Sequence, residues 1–124
     1  MDALLSRSDP PTGVVTINDM YAFGACASLH EAGIGAPRIS VIGFDDIVLA
    51  PLYNPPLTTV RQPLQRMAEY AIRAIQEGRS PGGAELPRSV LMQPTLIERQ
   101  STAAPVRLPR LQPTSLDTER KHTR

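Results

Sequence analysis

A single cysteine, Cys26, excludes an internal disulfide and fits either a reducing compartment or a small buried side chain. Lysine occurs once, at Lys121, so arginine carries nearly all the basic charge. No apolar run approaches the length of a bilayer-spanning helix. The first residues carry no signal-peptide pattern, because Arg7, Asp9 and two prolines follow Leu4 and Leu5 almost at once. A net charge of +1 offers no electrostatic case for a nucleic-acid or membrane surface. A Gly-rich phosphate loop, a zinc-ligand spacing and a nucleophile elbow are all missing. The two histidines, His30 and His122, fall in a predicted helix and in the tail, with no triad partner. These absences leave no catalytic constellation, so the chain is expected to be neither an enzyme nor a cofactor protein.

What is present is a small domain's worth of patterned sequence, 124 residues at 41% hydrophobic. The apolar run 39–44 (ISVIGF) stops at two adjacent carboxylates, Asp45 and Asp46. Such a run, bounded by Pro37 and by Pro55-Pro56, reads as a buried strand of a parallel sheet. Ligands of open α/β sheets bind beyond the carboxyl ends of the strands, where Asp45 and Asp46 fall. The same pair also fits a plain turn or the N-cap of a following helix. Gly43 lets a neighbouring backbone or a ligand come close.

A second β-branched run, 13–17 (GVVTI), ends at Asn18-Asp19. Residues 20–32 then read as a helix, with Asn18 or Asp19 as N-cap and Gly33 as C-terminal stop. Phe23, Gly24 and Ala27 are expected on one face, with Gly24 allowing close packing on a sheet. A strand–helix–strand unit of this kind makes the two strands parallel. Their C-terminal ends then share one edge, which brings Asn18 and Asp45 to the same crevice.

Further on, residues 47–52 fit a short helix, and 57–62 (LTTVRQ) fit a strand ended by Pro63. Leu64–Glu77 has the clearest helical period in the chain. Leu64, Met67, Ala68, Ala71, Ile72 and Ile75 form one apolar stripe, which the spacing assigns to core packing. Residues 80–83 read as a flexible loop. Residues 89–93 and 95–98 read as strand pieces broken by Pro94, which favours a bend or a sheet edge. From Ser101 the pattern dissolves into prolines and polar residues, so 103–124 is expected to be a disordered tail behind a domain at 1–102. The basic end 120–124 reads as a solvated charge run.

Three chemistries suit the acidic edge. Asn18 and an ionised Asp45 suit the vicinal hydroxyls of a sugar or the polar rim of a small heterocycle. A phospho-acceptor of the receiver type would need a lysine on a later strand, and the lone lysine lies in the tail. A metal held by Asp45 and Asp46 would make a small α/β enzyme.

Several segments, taken together in order and spacing, resemble the LacI/GalR family of regulators. They are 18–20 (NDM), 23–25 (FGA), 39–46 (ISVIGFDD), 55–63 (PPLTTVRQP) and 94–102 (PTLIERQST). The resemblance runs from Pro11 to Thr102. It implies a partial parallel-sheet α/β sensor domain of the periplasmic-binding-protein type, truncated at its N-terminus. Asn18, Asp45 and Gln62 would be the effector-contacting residues, with 57–62 crossing between lobes and Leu64–Glu77 belonging to the other lobe. The helix-turn-helix, hinge helix and most of the N-terminal lobe would be missing, leaving the last third of a cytoplasmic regulator. Operator DNA would be reached only through that missing domain, and family members form homodimers or tetramers. The apolar stripe would then lack its sheet, making the isolated chain marginally stable and prone to associate. A fragment of a transporter's periplasmic sugar-binding protein is the alternative. The loop before residue 39 looks one residue shorter than the family's.

Overall fold

The structure, a computed structural model, describes residues 1–77 and 89–104. The expected loop at 80–83 and all but the first two residues of the expected tail at 103–124 lie outside the described residues; of those two, the Ala103 N–H donates to Ser40 Oγ at 3.2 Å. A short first helix, α1 (Asp2–Leu5), is followed by β1 (Gly13–Val15), α2 (Asp19–Glu31), β2 (Ser40–Phe44), β3 (Thr58–Arg61), α3 (Leu64–Glu77) and β4 (Thr95–Ile97). The strands form one sheet in the order β1-β2-β3-β4. β1, β2 and β3 run parallel, with Val15 opposite Ile42 and Phe44 opposite Val60. β4 closes one edge antiparallel to β3, pairing Val60 with Leu96. Pro94 sits immediately before this edge strand, where its missing N–H costs no ladder bond.

α2 begins and ends by side-chain and backbone capping. The Asn18 side chain accepts the Tyr21 amide at 3.1 Å, so Asn18 is the N-cap and Asp19 the first helical residue. At the other end Gly33 takes φ +68°, its N–H bonds His30 O, and the Ile34 N–H reaches back to Leu29 O. That is the Schellman arrangement, which consumes two otherwise orphaned carbonyls.

The buried face of α2 is Ala22, Cys26 and Leu29, packed with Ile39, Val41, Ala50 and Leu57. This corrects the expected face: Gly24 and Ala27 are exposed, and a Cβ on Gly24 would meet nothing within 4 Å. The helix carries small apolar residues all round, so polarity gave no guide to its inner side. Phe23 stacks instead on Tyr53, ring centroids 4.5 Å apart, and the Tyr53 hydroxyl donates to Phe23 O at 3.1 Å. Burial raises the Tyr53 phenol above its ordinary value, and it pushes the Cys26 thiol up likewise.

Three further expectations are corrected. Residues 47–53 form overlapping turns, Ala50 N to Ile47 O and Tyr53 N to Leu49 O, and not a helix. Residues 89–93 form no strand. The α3 stripe is not core among the described residues: Leu64, Ile72 and Ile75 are each more than half exposed. The loss of sequence pattern at Ser101 also does not end the packing. Ser101 is buried; its hydroxyl donates to Val41 O at 2.7 Å and accepts the Thr58 amide at 2.8 Å.

Candidate functional site

The parallel register brings the ends of β1, β2 and β3 to one edge, and the polar side chains collect there. Asp45 follows β2, and its N–H still bonds Val60 O across the ladder at 2.9 Å. Its backbone then leaves the extended region, with φ 106° at Asp45 and 54° at Asp46. Two successive non-glycine residues at positive φ form a sharp turn, a conformation Asp tolerates better than most residues. No helix follows, so the N-cap role does not apply.

Asp45 and Gln62 meet. Gln62 Nε2 donates to Asp45 Oδ1 at 2.7 Å, joining the end of β2 to the residue after β3. A carboxylate offers about four lone-pair sites, so this bond leaves most of its acceptor capacity for other donors. Asn18 stands on the same edge, but its Oδ1 is engaged as the helix cap. Beside Gln62 opens a cavity of about 330 Å³, lined by Phe44, Gln62, Pro63, Met67, Tyr70, Val90, Met92 and Pro94. Its walls are mostly apolar, with Gln62 and Tyr70 as polar groups. Asp45 reaches it through its bond to Gln62, and neither Asp45 nor Asn18 lines it.

The two aspartates after β2 have separate roles. Asp46 Oδ1 accepts Arg99 Nη2 at 2.7 Å, and its Oδ2 accepts Arg61 Nε. Burial raises the Asp46 carboxyl, but hydrogen bonds and charge from Arg99 and then Arg61 outweigh it and hold the group below its ordinary value. A metal or phospho-acceptor reading of the pair needs those oxygens, which two guanidinium groups already occupy.

Two residues at this edge have structural roles that the sequence did not reveal; Asp19 was read there only as a candidate N-cap. Asp19 is fully buried and accepts Thr59 Oγ1 at Oδ1 and the Ile47 amide at Oδ2, the latter at 2.8 Å. Its position in the first turn of α2 adds a favourable helix dipole. Asp19 thereby ties the residue after Asn18 to the residue after Asp46. Arg99 is the other, donating also to Leu57 O at 2.7 Å. The buried Thr58-Thr59 pair was the available hint, since two adjacent buried hydroxyls require partners.

The periplasmic binding protein-like domain matches this chain over residues 1–102. The chain belongs to that family. Within it, the relatives of this periplasmic binding protein-like chain are LacI-type regulators, as the sequence resemblance implied. The HTH-type transcriptional regulator MalR of Streptomyces coelicolor is 41% identical over 95 residues, covering 75% of this chain and 27% of that protein. A LacI-type transcription regulator from Bifidobacterium animalis subsp. lactis superposes with a TM-score of 0.72 at 30% identity, covering 83% of this chain and 37% of the other. A LacI family regulator from Lactobacillus casei with bound sucrose gives 0.61 at 36%, covering 74% and 34%. The chain thus spans 27% to 37% of the length of these three regulators. No helix among the described residues is long and apolar enough to cross a membrane.

Proposed function

We propose that this chain is part of the effector-sensing module of a LacI-type transcriptional regulator. A sugar or sugar-like metabolite contacts Asp45 and Gln62, with Asn18 contributing from the neighbouring strand end. The observation that carries this reading is the Asp45–Gln62 pair at 2.7 Å, set at the carboxyl ends of parallel strands beside an apolar cavity. A carboxylate accepts from vicinal sugar hydroxyls, while an amide both donates and accepts. Phe44, Met67 and Tyr70 supply apolar surface for the faces of a sugar ring. The Lactobacillus casei neighbour, named for its bound sucrose, favours a sugar over other polar metabolites.

The whole regulator would act in the cytoplasm as a homo-oligomer, reaching operator DNA through a helix-turn-helix outside this chain. Effector binding would then alter operator affinity through a coupling free energy between the two sites. The name of the MalR relative, a transcriptional regulator, favours this over a fragment of a transporter's binding protein.

Thermal-shift and calorimetric titration of the chain with glucose, galactose, maltose and sucrose tests the reading. One wall of a cleft supports an affinity on the order of millimolar, about −4 kcal/mol. Asp45→Asn should abolish the response; a response of equal size in that variant contradicts the proposal.

A further inference from the structure

Asp46 follows Asp45 directly, yet its carboxylate is committed to protein. Its side chain is 5% exposed, and it sits between Arg99, 15% exposed, and Arg61, 57% exposed. The two arginines arrive from different places: Arg61 ends β3, and Arg99 lies two residues past β4. Arg99 is itself fixed, since Nη1 donates to Leu57 O at 2.7 Å and its backbone N–H donates to Thr58 Oγ1 at 2.8 Å. Asp46 therefore cannot rotate without giving up charge-assisted bonds on both oxygens.

The backbone on either side shows what this clamp holds. Asp45 has φ 106° and Asp46 has φ 54°. Non-glycine residues persist in such conformations only where surrounding contacts over-determine them. On the β2 side the constraint is the Asp45 amide bonded to Val60 O at 2.9 Å. On the far side the Asp46 carboxylate is doubly held, the Asp46 N–H donates to Thr59 Oγ1 at 3.4 Å, and the Ile47 N–H donates to Asp19 Oδ2 at 2.8 Å. With both flanks pinned, the direction of the Asp45 side chain is set, and its Oδ1 meets Gln62.

We propose that Asp46, clamped by Arg61 and Arg99, is a positioning residue that fixes the turned Asp45 backbone so that the Asp45 carboxylate engages Gln62 and an effector. This rests on the reading of Asp45 and Gln62 as effector contacts. It also gives the segment after β4 a direct mechanical link to that edge, through a contact 53 residues apart in sequence.

The test is the side-chain amide resonance pair of Gln62 in the ¹⁵N-labelled chain, recorded first without ligand. A bond to a carboxylate displaces one amide proton from the position of free glutamine. Asp46→Asn is expected to return the pair to the free position while the backbone amides of β1 and α2 stay in place. Arg61→Ala is expected to move it part of the way. Arg61 is more than half exposed, so this variant keeps the fold and carries the test if Asp46→Asn does not. In titrations with whichever of the four sugars the parent chain binds, Asp46→Asn should weaken binding about ten-fold. Gln62 resonances that stay put in both variants overturn the positioning role, whatever the sugars do. Resonances that respond to Asp46→Asn in a chain that binds none of sucrose, galactose, glucose and maltose support the hold on Asp45 and overturn the effector contact beneath it.

Discussion

The Asp19 carboxylate occupies the space a side chain on Gly43 would need. A Cβ at residue 43 would overlap Asp19 Oδ1 and press on Leu57 Cδ2 at 2.9 Å and Asp19 Cα at 3.2 Å. The close approach expected at Gly43 is therefore made by a buried carboxylate of this chain. Two of the three nearest neighbours belong to Asp19, whose backbone is held by α2, so the neighbourhood has little room to yield. Gly43→Ala should destabilise the chain by about 2–4 kcal/mol. A urea midpoint within error of the parent would show that the Asp19–Gly43 packing is not as tight as described.

Asp19→Asn keeps the shape and changes the hydrogen-bond count. Asp19 accepts from the Thr59 hydroxyl and the Ile47 amide, and an asparagine can accept at only one of its two terminal atoms. One buried donor is then opposed by an N–H group, at a cost of about 1–3 kcal/mol. Equilibrium unfolding of the variant measures it; an unchanged midpoint would contradict the network.

Ser101→Ala probes the closing segment. The Ser101 hydroxyl bridges β2 and β3 through Val41 O and the Thr58 amide, in a site 2% exposed. Its loss should cost about 1–3 kcal/mol, because the Thr58 N–H is left without that acceptor. The same experiment shows whether packing extends past Gln100.

The Asp46 carboxyl is held below its ordinary value of 3.8 in the folded chain. A depressed acid contributes stability that is fully present above the unfolded-state value and is lost as pH falls through the folded one. The stability difference between the parent and Asp46→Asn should therefore be constant above about pH 5 and shrink on acidification below about pH 4. Melting temperatures of both proteins across that range check the sign. A difference that grows on acidification would contradict the double ion pair.

The α3 stripe gives a contrast. Ile72 and Ile75 are 57% and 62% exposed, so Ile72→Ser should change stability by about 0.5 kcal/mol or less. A core isoleucine in its place would cost several-fold more. Sedimentation of the parent and of an Ile72→Ser, Ile75→Ser variant reads the expected association through this face, which the variant should reduce.

Local features were legible in the sequence where one element carried its own boundaries. Leu64–Glu77 could be read to the residue, because Pro63 opens it and its apolar period is regular. Pro94 pointed to the edge strand. The run 39–44 and its carboxylates marked the sheet edge. The inner face of α2 was hidden because its outer face is also apolar. The period of α3 pointed to core because periodicity reports amphipathicity and not what covers it; the uncovered stripe was expected only from the resemblance. Longer-range partners were not legible at all: Asp46 and Arg99 are 53 residues apart, Ser101 and Val41 are 60 apart, and no local pattern joins them.

Effector contact at Asp45 and Gln62 can be read directly by following the Gln62 side-chain amide and the Asp45 carboxylate carbon by NMR while sucrose, galactose, glucose and maltose are added to the labelled chain. At least one sugar is expected to shift both signals in a saturable way at millimolar concentration, and Asp45→Asn to remove the shift at Gln62. Saturable binding that moves other residues while Asp45 and Gln62 stay unchanged would contradict it.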